Sequence, residues 1–284
     1  MITRFAPSPS GLLHLGHAFS ALSAWDEFQK SDDPEKRFLL RIEDIDFTRC
    51  RPSYEEKLLE DLHWLGLEWE EPIRRQSEHL DEYRRVADRL FDSGFLYPCF
   101  CTRREILREI ERAGGAPHGS EGPAYPGTCR NLGEEERRNR IENGDPFALR
   151  IDLDRAVGET GPLTWQDRRF GRVEAEPGRL GEAVLVRKDI GTSYHLAVVC
   201  DDAWQGVTHI TRGEDLFEST HLHRVLQELL DFSVPDYYHH QLVTDEEGTR
   251  LAKRNESETL RSLRKAGMTA EEVREKISGL APQD

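Results

Sequence analysis

Ile2-Thr3-Arg4-Phe5-Ala6-Pro7-Ser8-Pro9-Ser10-Gly11-Leu12-Leu13-His14-Leu15-Gly16-His17 opens the chain and decides how the rest is read. Ile2–Ala6 has the pattern of a short strand, Pro7–Gly11 that of a turn, and a helix is expected from about His17 to Gln29. A strand that feeds a helix through such a turn exposes backbone N–H groups and a helix N-terminus. In an α/β sheet that is where an anionic ligand is held. Gly16 allows a phosphate to approach the backbone. His14 and His17, in the first helical turn, can donate hydrogen bonds to phosphoryl oxygens as negative charge develops. Taken alone, His-x-Gly-His is equally compatible with two surface histidines at a helix start.

Working outward, Phe38, Leu39, Leu40 and Ile42 form the near-continuous apolar run of a buried parallel strand over Arg37–Glu43. Ser53 and Glu56 have capping-box spacing, and Leu58, Leu59, Leu62 and Leu65 give the helix after them a buried side. Tyr83, Val86, Ala87, Leu90 and Phe91 mark another amphipathic helix. This alternation predicts an α/β, doubly wound, Rossmann-type catalytic domain whose first half is residues 1–96. The texture changes near Tyr97: residues 114–133 are rich in Gly and Pro, and strand-like pieces follow at Phe147–Ile151, Leu163–Trp165 and Gly171–Val173. Residues 97–180 therefore read as an insertion, and 181–234 as the second half. The second half holds a strand at Ala183–Val186, a helix around Tyr194–Ala203, a strand at Thr208–Thr211 and a helix marked by Leu222, Val225, Leu226, Leu229 and Leu230. Residues 235–284 supply a strand (Tyr237–Val243), a basic loop and a short helical segment, with a second capping box at Thr269 and Glu272.

Composition narrows the function. The 284 residues carry a formal charge of -15 and a mean hydropathy of -0.69. That charge excludes a protein that coats nucleic acid non-specifically, because phosphate neutralisation needs Lys and Arg. There is no run of roughly 18 apolar residues and no basic-then-apolar secretory start, so a cytoplasmic protein is expected. Five cysteines in a chain this long do not suggest a disulfide framework. Cys99-Phe100-Cys101 with Cys129 instead offers three thiolates for a structural Zn2+, the alternative being three reduced thiols in a small core. Cys50 and Cys200 have no such partners. Far along the chain, Gly248-Thr249-Arg250-Leu251-Ala252-Lys253-Arg254-Asn255 is a Gly-led basic loop that can place Lys253 against a polyphosphate.

Arg4-Phe5-Ala6-Pro7-Ser8, His14-Leu15-Gly16-His17, Arg41-Ile42-Glu43-Asp44 and the Lys253 loop together resemble the signatures of class I aminoacyl-tRNA synthetases of the glutamyl branch. The resemblance runs from the start of the chain to Arg254. It implies that the carboxylate of L-glutamate attacks the α-phosphorus of ATP, bound with Mg2+, and that an RNA hydroxyl then takes the glutamyl group. It implies His14, His17 and Lys253 as catalytic residues, with Gly16 beside them at the ATP. It also implies a glutamate pocket of Arg4, Phe5, Ala6, Pro7, Ser8, Glu43, Tyr194 and Arg212. In the basic loop the family pattern is altered, with Arg250 at its first lysine and Ala252 at its serine, which puts ATP affinity and loop dynamics in question. Only about 30 residues follow Arg254, where a full glutamyl-tRNA synthetase continues into an anticodon-reading domain. The chain is thus similar to the truncated paralogue family, the glutamyl-Q tRNA(Asp) synthetases. That similarity implies action on queuosine in the anticodon loop of tRNA(Asp), and Tyr125 as fourth zinc ligand; His118 is the chemically conventional rival, and a monomer is expected. The competing expectations are a minimal synthetase for tRNA(Glu), a noncatalytic RNA-binding paralogue and, more remotely, a small-molecule nucleotidyltransferase.

Overall fold

The structure, a computed structural model, describes residues 1–112, 118–119, 122–123, 125–243 and 259–280. Strand β1 (Ile2–Phe5) leads into helix α1 (Leu15–Lys30), followed by β2 (Arg37–Ile42), α2 (Pro52–Trp64), β3 (Glu70–Arg75), α3 (Leu80–Asp92) and β4 (Leu96–Cys99). Next come α4 (Arg103–Arg112), the two-residue strands β5 (His118–Gly119) and β6 (Gly122–Pro123), α5 (Glu134–Glu142), β7 (Ala148–Ile151), α6 (Leu153–Thr160), β8 (Thr164–Asp167) and β9 (Gly171–Glu174). The chain ends through β10 (Val184–Val186), α7 (Tyr194–Trp204), β11 (His209–Gly213), α8 (Phe217–Leu229), β12 (Asp236–His240), α9 (Leu260–Lys265) and α10 (Ala270–Leu280).

β1, β2 and β3 form one parallel sheet, and β11, β12 and β8 pair in parallel in another whose edge is the antiparallel β9. The two sheets adjoin along β1 and the start of β11, where the Thr208 amide donates to the Ile2 carbonyl at 2.9 Å. Connections leave in opposite directions on either side of that seam, so a crevice opens beyond the carboxyl ends of β1 and β11. The core of the first half packs Leu15, Ala18, Ala21 and Leu22 of α1 against Leu40, Ile42, Leu58 and Leu62. Leu260, Val273 and Ile277 join the same core, so the C-terminal helices are anchored on the N-terminal half. Full burial of each Leu, Ile or Val side chain in this core is worth about 1.5–3 kcal/mol.

Several expectations shift. α1 begins at Leu15, two residues early, because His14 itself is the N-cap. The Ser53–Glu56 box does not form: Pro52 takes the first helical position, where its missing N–H is not needed, and Arg51 is the uncapped N-cap. The Thr269 box does form, with Thr269 N donating to Glu272 Oε2 at 2.7 Å and Glu272 N to Thr269 Oγ1 at 3.2 Å. Phe91 lies on the solvent side of α3 rather than in the core. β12 stops at His240 rather than Val243. Pairing also crosses the expected boundary at residue 180: β8 joins β12 of the main sheet, while β10 pairs with β7, which pairs with β4. The reason is burial, since Trp165 of β8 packs against Leu39, Val207, Ile210 and Tyr237. Among the described residues no helix is long and apolar enough to cross a membrane, and all five cysteines are free thiols.

Candidate active site

A cavity of about 330 Å³ fills the crevice between β1 and β11. Arg4, Phe5, Ala6, Pro7 and Ser8 line one side, His14, Gly16 and His17 another, and Glu43, Tyr194 and Arg212 the rest. All eleven come from the expected site. Lys253, with Arg250 and Ala252, lies outside the described residues. Phe19, Ser20, Asp215, Leu216 and His240 also line the cavity, and sequence reading missed them.

The two histidines cap α1. His14 Nδ1 accepts from Gly16 N at 3.1 Å, and His17 Nδ1 accepts from the His14 amide at 3.3 Å. The rings lie 3.7 Å apart. Burial lowers both pKa values, that of His17 to about 3 with help from the neighbouring His14. Both rings are therefore neutral at pH 7. With Nδ1 accepting, the proton sits on Nε2 in each. The pair presents two N–H donors, not two cations, over a helix N-terminus with no acidic residue in its first turn.

The opposite wall is ionic. Arg4 Nε donates to Asp202 Oδ1 at 2.9 Å, and the fully buried Arg41 reaches the same oxygen at 2.7 Å and Glu43 Oε1 at 3.1 Å. Burial pushes the Glu43 carboxyl up, partly opposed by Arg41 and Arg4. Burial likewise pushes Asp202 up, but Arg4 and Arg41 outweigh it and hold that carboxyl below its usual range. Arg41 entered the sequence reading only within the Arg41–Asp44 motif, with no role of its own, and Asp202 not at all, because in sequence a buried charge looks like a surface one. Arg212, only 5% exposed, differs from its neighbours. Its guanidinium meets His239, Thr220, the Leu216 carbonyl, the Tyr194 hydroxyl at 3.4 Å and His223 at 3.5 Å. Among the described residues it has no carboxylate partner. A buried cation without a counter-ion is costly, and an incoming carboxylate removes that cost.

The family described as tRNA synthetases class I (E and Q), catalytic domain, matches residues 1–279. The chain belongs to this family. Within it, the chain is 46% identical to a glutamyl-Q tRNA(Asp) synthetase of Rhodobacter capsulatus over 98% of this chain and 99% of the relative. It is 43% identical to one of Symbiobacterium thermophilum, over 95% of this chain and 83% of the relative. A glutamate–tRNA ligase of Aquifex aeolicus is 39% identical over 95% of this chain and 54% of that protein. Among solved structures, a glutamate tRNA ligase of Elizabethkingia meningosepticum in complex with its amino acid superposes with a TM-score of 0.75 at 29% identity. The match covers 94% of this chain and 53% of that one, so the chain spans about half the length of that ligase.

This class I synthetase chain carries a second constellation in the segment around β4. Cys99, Cys101 and Cys129 bring their sulfurs within 4.8 Å of one another. The Tyr125 hydroxyl lies 3.4 Å from Cys99 Sγ and 3.6 Å from Cys101 Sγ, and accepts from Cys129 N at 2.9 Å. Three sulfurs in this proximity match the thiolate donors of a metal site, which could hold an ion here. Burial pushes the Cys101 thiol up to about 12, with the neighbouring thiols adding to it, so a cation here would have to draw the proton off. The side chain of His118 lies outside the described residues.

Proposed function

We propose that the protein activates L-glutamate with ATP as glutamyl-adenylate and transfers the glutamyl group to the queuosine base of tRNA(Asp). The observation that carries the glutamate reading is Arg212: a buried guanidinium, with no carboxylate in ion-pair contact among the described residues, on the wall of a cavity that a small acid fits. Near-full-length identity to relatives named glutamyl-Q tRNA(Asp) synthetase supports the choice of RNA.

In this reading Arg212 and Tyr194 receive the side-chain carboxylate, and Glu43 takes the α-ammonium. The amino acid rests against Arg4 and the Phe5–Ser8 strand end. Its α-carboxylate oxygen bonds to the α-phosphorus of ATP as the bond to pyrophosphate breaks. His14 and His17 donate their Nε2 protons as hydrogen bonds to the phosphates, and Gly16 lets the chain come close. Lys253 neutralises the departing pyrophosphate. Mg2+ bound with ATP supplies charge neutralisation at the phosphates. An RNA hydroxyl then attacks the activated carbonyl and AMP leaves. Positioning and charge do the catalysis, and no covalent enzyme intermediate is required. Glutamine is rejected because its amide leaves Arg212 unpaired. Cys99, Cys101, Cys129 and Tyr125 hold a structural Zn2+ that pins the inserted segment.

The test supplies ATP, Mg2+ and labelled glutamate with queuosine-containing tRNA(Asp), unmodified tRNA(Asp) or tRNA(Glu). Label on the first alone is the expected result. Label on tRNA(Glu) alone overturns the reading in favour of a minimal synthetase, and no label with no pyrophosphate exchange favours a noncatalytic paralogue.

A further inference from the structure

Behind the cavity wall, out of reach of any ligand, lies a polar chain with no part in the chemistry above. Asp167 on β8 and His239 on β12 are both 0% exposed, and Asp167 Oδ2 lies 2.6 Å from His239 Nδ1. The other carboxylate oxygen, Oδ1, accepts from the amides of Arg169 at 2.8 Å and Phe170 at 3.1 Å. Burial pushes Asp167 up, but the His239 bond and these turn amides outweigh it, so it is ionised. An ionised carboxylate can only accept, which puts a proton on His239 Nδ1. Burial lowers the His239 pKa to about 4, so the ring holds that one proton and no other. Nε2 is left as a lone pair, and it faces both Arg212 Nε and the Thr220 hydroxyl, each at 3.1 Å.

The rest of the guanidinium is held along the same edge. Arg212 Nη2 donates to Thr220 Oγ1 at 2.6 Å and to the Leu216 carbonyl at 3.3 Å. Only Nη1, on long contacts to Tyr194 and His223, is loosely held. A carboxylate touching Arg212 would fix its orientation but cancel its charge. A neutral imidazole between Asp167 and Arg212 fixes the orientation and leaves the charge for a ligand.

We infer that Asp167 and His239 are positioning residues that lock the imidazole tautomer holding Arg212, and thereby set the preference for a carboxylate over an amide side chain. This rests on the proposed glutamate pocket. The competing account is an ordinary buried pair that merely joins β8 to β12.

The experiment measures ATP–pyrophosphate exchange with glutamate and with glutamine, the RNA acceptor present in every arm. Wild type must prefer glutamate; if it does not, the pocket reading fails before the relay is tested. In Asp167→Asn the amide oxygen can keep the two turn bonds, which turns the amide nitrogen toward His239. The imidazole proton is then driven to Nε2, against the Arg212 Nε–H. The glutamate KM is expected to rise about tenfold or more with the ATP KM within about twofold, and the glutamate-to-glutamine preference to fall by a similar factor. Adding His239→Gln, whose carbonyl accepts from Arg212 whatever residue 167 is, should recover most of the loss. A folded D167N protein with unchanged glutamate KM and preference overturns the proposal, as does a loss shared by both substrates that H239Q does not rescue. If D167N does not fold, His239→Gln is compared with His239→Leu in the wild-type background. The first should keep the glutamate KM within about threefold and the second raise it about tenfold. Equal effects overturn the proposal.

Discussion

Arg41 shows how much of the site rests on a residue that no ligand touches. It is fully buried, bonded to Asp202 at 2.7 Å and Glu43 at 3.1 Å, with Asp201 3.8 Å away. Burial opposes its charge, but Asp202, Glu43 and Asp201 more than restore it. Breaking a buried ion pair costs more than the pair ever contributes, because the abandoned partner keeps its desolvation cost. Arg41→Met keeps the bulk and removes the cation. Urea unfolding at pH 7.5 should show a loss of about 3–5 kcal/mol, with a raised glutamate KM because Glu43 loses its anchor. A change below about 1 kcal/mol would mean that Arg4 alone compensates both acids.

Among the elements, the segment from β4 to the turn at Cys129 is the one whose stability is tied to a metal in this reading. Purified protein should carry about one zinc per chain, measured by elemental analysis. Cys101→Ala should lose it, while Tyr125→Phe should retain it with an affinity at least about tenfold weaker. Full occupancy in Cys101→Ala would dismiss the site. The elements that sequence reading recovered are those with an apolar signature. β2 is buried along most of its length, and α3 buries Tyr83, Val86, Ala87 and Leu90. β3 escaped notice because four of its six residues, Glu70, Glu71, Arg74 and Arg75, are charged and it buries only Ile73. α5 escaped because it buries nothing. The cavity lining was legible through motif spacing around His14, Glu43 and Arg212. The buried ions behind it were not, since Asp167, Arg41, Asp201 and Asp202 are surface-type residues that only the tertiary fold takes inside.

For the molecule as a whole, histidines set the response to acid. Burial lowers the pKa of His14, His17, His221, His223, His239 and His240, to about 3 for His17 and about 4 for His239. Unfolded histidine takes its proton near 6.5, so between that pH and about 4 the unfolded chain binds more protons than the folded one. Stability is then fully present above about 6.5 and drains away as the pH falls. Asp61 works the other way: it is buried, its pKa is raised to about 6, and its penalty disappears in acid. Burial raises Asp26 and Glu43 in the same sense, and these three acids are outnumbered by the six histidines. The urea midpoint should fall between pH 7.5 and pH 5, and an unchanged or rising midpoint would contradict the burial of these rings. The strand pairing across residue 180 reaches further, into how such a chain can diverge. A cassette cut at 97 and 180 and exchanged between relatives would carry off the β8–β9 hairpin that flanks β12, and would take β7 away from its partner β10. Both sheets would be torn by one transplant. Novelty in this region is therefore expected to accumulate by substitution and loop growth in place, and not by trading segments between lineages.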